Sequence, residues 1–254
     1  MLLNVCKFAP MNKILLFLFI LLVFAGCSND VKDFDGNSYK TVKIGNQVWM
    51  AENLKVHTAK GSWCYANKSE NCEKYGRLYT WVTAMALPDS CYDHKCEFLE
   101  KYPHQGLCPV GFHVPSTEEF YKLYDYVGKE TEALKFRSKE SRTKEEIAGS
   151  EERSGEKNHG FGLLLGGVIF NVNEASDNMG NGTEGCATGL WTRNNEGVTD
   201  TTAAWLVKLT QGIEEDLEER FNMAKMQIFY CRLKEVLQLY VSKDGGGYIR
   251  CVKD

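Results

Sequence analysis

Val114-Pro115-Ser116-Thr117-Glu118-Glu119-Phe120-Tyr121-Lys122-Leu123-Tyr124-Asp125-Tyr126-Val127-Gly128 is the stretch on which the fold reading turns. Ser116 is a helix cap, and Glu119 stands where its carboxylate can reach back to the Ser116 amide, closing a capping box. Phe120, Leu123, Tyr124 and Val127 follow at i, i+3, i+4, i+7, so one face of this helix is buried. Gly128 ends it. The surrounding text is different in kind, with short alternating runs separated by glycine turns. One good helix stands among many short strands.

Upstream, Asp33-Phe34-Asp35-Gly36-Asn37 precedes the alternating Tyr39-Lys40-Thr41-Val42-Lys43-Ile44, a hairpin signal. Gly45-Asn46 turns the chain into Gln47-Val48-Trp49-Met50. Asp33, Asp35 and Asn37 also match the opening of a calcium loop. An EF-hand needs a glutamate at loop position 12, near Ile44, and has none there. A turn is the expectation. Downstream, a second short helix is expected over Thr131 to Ser138, and Glu140 to Asn158 has too little apolar surface to fold alone. Gly180-Asn181-Gly182-Thr183-Glu184-Gly185 has the dinucleotide-binding glycine spacing but not the strand and helix that spacing requires. Ile213, Leu217 and Phe221 suggest a short helix. Met226 to Val241 alternates as strands do. Lys243 to Gly247 is expected to turn into a last strand, Tyr248 to Val252.

The first residues give an address. Met11-Asn12-Lys13 leads into the uncharged apolar run Ile14 to Ala25, shorter than the about 20 residues that span a bilayer. It is a signal-peptide pattern. Phe24-Ala25-Gly26-Cys27 resembles a bacterial lipobox, with Phe24 where Leu is usual. The expected organisation is a signal peptide over 1–26, with translation starting at Met1 or Met11, a tether over 27–33 and a single domain over 34–254. Cys27 is the lipid-attachment residue, and the membrane is then a partner through the anchor. By resemblance to enterobacterial lipoproteins, Ser28 in place of Asp disfavours retention in the inner membrane and implies the outer one.

Composition narrows the function. A net charge of -4 argues against an electrostatic grip on nucleic acid. Setting Cys6 and Cys27 aside leaves Cys64, Cys72, Cys91, Cys96, Cys108, Cys186, Cys231 and Cys251. An even set in an exported chain predicts disulfides, though eight cysteines allow 105 pairings. Close spacing points to Cys64–Cys72 and Cys91–Cys96. No Cys-x-x-Cys pair exists, so no metal site is expected, including at Cys91-Tyr92-Asp93-His94-Lys95-Cys96. No serine elbow, phosphate loop or zinc-protease motif is found. No catalytic residue and no cofactor are assigned, and the chain is expected not to be an enzyme. His113, near the helix start, is expected to be structural.

Several blocks together resemble the Fibrobacter succinogenes major paralogous domain family of secreted bacterial proteins. They are Asp35-Gly36-Asn37 with Tyr39 to Gly45, Gln47 to Leu54, Tyr75 to Trp81, Cys108-Pro109 with Gly111 and His113 to Ser116, and Arg250-Cys251-Val252-Lys253-Asp254. Phe112 and Phe120 replace tryptophans of the pattern. Leu163-Leu164-Leu165-Gly166-Gly167 replaces a Leu-Pro-Gly-Gly segment, and residues 212–236 are longer than usual. The order of blocks is similar to the C-type-lectin-like and formylglycine-generating-enzyme-like superfamily. That similarity implies an α+β architecture with paired terminal strands, about two main helices flanking small twisted antiparallel sheets, and long disulfide-stapled loops. It also implies a Cys108–Cys251 bridge, which would leave Cys186 with Cys231.

The resemblance implies an address and a fold, not an activity. The expected function is a non-catalytic surface module of the cell envelope, with polysaccharide or another envelope protein as candidate partner. Trp49, Trp63, Trp81, Trp191 and Trp205 are candidate stacking surfaces. Trp191, Arg193, Asn194 and Asn195 are singled out because they join an aromatic to planar polar groups in a glycine-rich stretch. The alternatives are a structural envelope protein without small ligand, or an enzyme of the formylglycine-generating type using Cys231 and Cys251.

Overall fold

In the structure, a computed structural model, residues 30–92, 103–128, 159–169, 187–193, 223–230 and 236–254 are described. The strands are β1 (Val31–Lys32), β2 (Ser38–Tyr39), β3 (Thr41–Ile44), β4 (Gln47–Met50), β5 (Ser62–Trp63), β6 (Leu78–Tyr79), β7 (Phe112–His113), β8 (Ala187–Trp191), β9 (Met223–Tyr230), β10 (Val236–Ser242) and β11 (Val252–Lys253). The α-helices are α1 (Ser69–Tyr75), α2 (Trp81–Ala84) and α3 (Thr117–Val127). The class is α+β, as expected, with small antiparallel sheets and few helices.

Two sheets carry most of the pairing. β3, β4, β11 and β7 form one, with the chain-terminal β11 lying between β4 and β7 through Val252↔Trp49 and Val252↔His113. β10, β9 and β8 form the other, in continuous antiparallel register. β1–β2 and β5–β6 are two-stranded. The expected hairpins form. Asp33 builds the first turn with its side chain: Oδ1 accepts from the amides of Asp35 and Asn37, and Oδ2 accepts from Asn37 Nδ2 and the Tyr39 hydroxyl. That carboxylate is the organiser of a turn. Gly45 takes φ 59° at the first position of the two-residue turn between β3 and β4, which the twist of a tight hairpin requires.

Helix α3 forms as its sequence dictates. Ser116 Oγ accepts from the Glu119 amide, Glu119 Oε2 accepts from the Ser116 amide, and Gly128 closes the end at φ 121°. Phe120, Leu123, Tyr124 and Val127 are buried. Phe120 packs on Trp49 with ring centroids 5.2 Å apart, and Phe161 meets the same indole edge-on at 5.6 Å. Burying a phenylalanine stabilises by about 1.5–3 kcal/mol, so this face contributes much of what holds the helix on the first sheet.

The expected turn after Lys243 forms, with the Gly245 amide donating to the Ser242 carbonyl at 2.8 Å, but the expected strand over Tyr248 to Val252 does not. Only Val252–Lys253 is a strand. Gly246, Gly247 and Tyr248 instead form isolated bridges to Ile169, Tyr79 and Leu190, and so join pieces of different sheets. A Cβ on Gly247 would lie 2.6 Å from Met226 Cε and 2.9 Å from Trp191 Nε1, so only glycine allows the backbone to cross there.

Two expected disulfides are present. Cys64–Cys72 closes a short loop, and Cys108–Cys251 joins residues 143 apart in sequence. In the chain-entropy account the second stabilises by about 4–5 kcal/mol. Cys91 is also disulfide-bonded. Cys96, Cys186 and Cys231 lie outside the described residues. So do Cys27, the expected helix over 131–138, the charged stretch 140–158, the 180–185 glycine pattern and the 213–221 helix.

Candidate functional site

Four short segments enclose an open cleft of about 320 Å³, lined by Lys60, Gly61, Trp63, Thr80, Asp89, Tyr92 and Asp244. Pairing of β5 with β6, through Trp63↔Leu78 and Ser62↔Tyr79, brings Gly61 and Trp63 beside Thr80. Thr80 caps α2, its Oγ1 accepting from the Thr83 amide at 3.2 Å. The Thr80 and Tyr92 hydroxyls lie 2.8 Å apart. Gly61 is required: at φ 69°, an added Cβ would sit 2.1 Å from Thr83 Oγ1. Asp244 arrives on the turn after β10, which is held there because the Trp81 amide donates to the Lys243 carbonyl at 2.8 Å.

The electrostatics of the cleft are uneven. At its rim Lys60 pairs with Asp89, both side chains largely exposed. The hydrogen bond that Lys60 donates to Asp89, then the charge of that carboxylate, raises the Lys60 pKa. Asp244 is different. Its Oδ1 is buried and has no hydrogen-bond partner among the described residues. The neighbouring Lys243 ammonium donates instead to the Cys91 carbonyl at 2.7 Å and sits 5.0 Å from the Trp81 ring centre.

Trp191 does not lie on a surface loop, contrary to the expectation from its glycine-rich surroundings. It is fully buried, its Nε1 donating to the Tyr79 carbonyl at 2.8 Å. Every residue of β8 is buried, because Gly167 and Tyr248 bridge it in parallel on the side away from β9. The Trp191 ring therefore offers no face for a sugar. Arg193 is half-buried, with its amide donating to the Pro115 carbonyl, and Asn194 and Asn195 lie outside the described residues. Trp49 and Trp81 are fully buried too. Among the described residues Trp63 is the tryptophan left partly open, and Trp205 lies outside them. Nothing in the local text of Ser62-Trp63-Cys64 marks it; the signal would have been the cleft itself.

His113 is the other titratable group of interest. It is buried, with Nδ1 2.7 Å from Asp254 Oδ1 and Nε2 2.9 Å from Glu119 Oε1. Burial pushes its pKa down, but the hydrogen bonds to Glu119 and Asp254, with their charges, outweigh it and leave the pKa raised. Both ring nitrogens are committed to protein carboxylates. This geometry ties β7 to the α3 cap and to the chain-terminal residue, and matches the structural role expected of it.

A disulfide-stapled α+β module with a mixed aromatic and polar cleft is thus the class the geometry defines. The chain belongs to the Fibrobacter succinogenes major domain family, whose model matches residues 42–253. No curated protein and no solved structure matches the chain.

Proposed function

We propose that this chain is a lipoprotein of the bacterial cell envelope, anchored through Cys27 in the outer membrane, whose domain is a non-catalytic module that binds polysaccharide. The domain is read as a C-type-lectin-like scaffold; the placement of β11 between β4 and β7 supports that reading. The observation that carries the binding role is the cleft, where the partly open Trp63 stands beside Thr80, Tyr92 and Asp244. Ligand pockets pair an aromatic or apolar wall with a few placed polar groups. The non-catalytic reading rests on His113, whose two nitrogens are held by Glu119 and Asp254 rather than poised toward a cleft.

The test uses the full chain expressed in a bacterium. It should fractionate with membranes and carry an acylated N-terminus at Cys27, and Cys27→Ser should abolish both. Mixed with insoluble polysaccharides, the purified protein should be depleted from solution without releasing soluble sugar. Release of soluble sugar would overturn the non-catalytic reading. Failure to bind any polysaccharide would overturn the binding reading.

A further inference from the structure

We propose that the Cys64–Cys72 disulfide is a thiol-exchange site, opened by an external dithiol that attacks Cys64 and releases Cys72 as a thiolate beside Arg77. The two bridges described at both ends differ in kind. Cys108 and Cys251 are 0% exposed, and their bond joins residues 143 apart. Cys64 is partly exposed, and its bond to Cys72 closes a separation of only 8. Closing a short loop restrains the unfolded chain far less than closing a long one, so the fold depends on Cys64–Cys72 much less than on Cys108–Cys251. The short loop is also wound against its preference. Within it Ala66 and Asn67 take φ 54° and 55°, a left-handed region that alanine rarely enters. Opening the bond removes one of the constraints that hold the backbone there.

Arg77 sets the direction of the exchange. Its Nη1 donates to Cys72 Sγ at 3.3 Å and to Cys64 Sγ at 3.7 Å. Nε donates to Ser62 Oγ at 3.3 Å and Nη2 to the Ser62 carbonyl at 3.4 Å, which pins the guanidinium beside the sulfurs. Among the described residues no carboxylate pairs with Arg77, so its charge is open to a developing thiolate. A neighbouring arginine lowers a thiol pKa, and a sulfur of lower pKa leaves a disulfide faster. Cys72 is the sulfur nearer Nη1 and its residue is 8% exposed, so it is the leaving group and the more open Cys64 is attacked. In the first step a dithiol's thiolate bonds to Cys64 Sγ, and the pair of electrons of the broken bond leaves on Cys72 Sγ. In the second, the other thiol of the reagent loses its proton to solvent and attacks its own sulfur of the mixed disulfide. A cyclic disulfide forms, and Cys64 leaves and takes a proton from solvent. The dithiol is oxidised by two electrons and the protein bond is reduced by two.

The experiment treats the full chain in detergent with dithiothreitol under native conditions, quenches with acid, alkylates free thiols and maps the peptides by mass spectrometry. Cys64–Cys72 should open at least about tenfold faster than Cys108–Cys251, with the near-ultraviolet circular dichroism of the fold retained. Reduced glutathione, a monothiol, should leave its adduct on Cys64 and free Cys72 for alkylation. In the opened protein the pH dependence of iodoacetamide alkylation should place the Cys72 thiol below the ordinary value of about 8.5. Arg77→Gln should raise that value and slow opening about fivefold or more, while Arg77→Lys, which keeps the charge, retains most of the rate. A purely structural Arg77 predicts the opposite, because its loss would expose the bond and speed opening. Should Arg77→Gln fail to fold, the wild-type Cys72 value decides, and one at or above about 8.5 overturns the role of Arg77. Opening of Cys64–Cys72 no faster than Cys108–Cys251, or only on unfolding, overturns the exchange site. A glutathione adduct on Cys72 in place of Cys64 overturns the direction of attack.

Discussion

Arg250 Nε donates to Asn53 Oδ1 at 3.0 Å, and both side chains are buried. The same guanidinium donates through Nη1 to the Phe161 carbonyl and lies over the Phe161 ring at 4.6 Å. Asn53 in turn donates from Nδ2 to the Tyr75 carbonyl at 2.8 Å. Two blocks of the family pattern, Gln47 to Leu54 and Arg250 to Asp254, therefore meet in one buried network, and a third enters through Tyr75. These residues serve the scaffold. Desolvation lowers the Arg250 pKa to about 9, yet it stays protonated at neutral pH.

Arg250→Lys keeps a charge but has no planar fork to reach Asn53 and Phe161 together. It should lower unfolding free energy by about 2–4 kcal/mol, since it leaves buried polar groups unmatched. Asn53→Ala should cost a similar amount, and the double variant less than the sum, because the two share one bond. Urea unfolding of the three variants checks this.

His113 makes stability depend on pH. Its folded pKa is raised from about 6.5, so folding favours the protonated ring. The stabilisation is complete below about pH 6.5 and is lost as pH rises through the raised folded-state value. The stability difference between wild type and His113→Gln should be on the order of 2 kcal/mol at pH 5.5, and should shrink steadily toward pH 9. A difference that grows with pH would contradict the assignment.

Loss of the Cys108–Cys251 bridge should be the costliest single change to the scaffold. The double serine variant should unfold about 4–5 kcal/mol more easily in the chain-entropy account. Peptide mapping without reduction should recover Cys108 with Cys251 and Cys64 with Cys72.

Much of the scaffold was legible because its determinants are local. The capping box, the buried face of α3 and the Gly45-Asn46 turn each lie within a few residues of one another, so spacing alone predicts them. The Cys108–Cys251 bridge is not local, and only the resemblance to a known topology suggested it. The cleft was not legible. Trp63, Thr80, Tyr92 and Asp244 come from four separated segments, joined by the β5–β6 pairing and by the bond from Trp81 to Lys243. Trp191 misled for the converse reason. Glycine-rich polar text around a tryptophan suggests a surface loop, but β8 is covered by β9 on one side and by Gly167 and Tyr248 on the other. Burial of an edge strand by isolated bridges leaves no periodic mark in the sequence.

Binding is proposed to occur at the Trp63 cleft and not along β8. Hydrogen–deuterium exchange of the full chain, with and without a saturating neutral oligosaccharide, tests it most directly. Added protection should fall on the backbone of residues 60–63, 89–92 and 242–245, with 187–193 unchanged. Protection centred on 187–193, with the cleft segments unaffected, would contradict it.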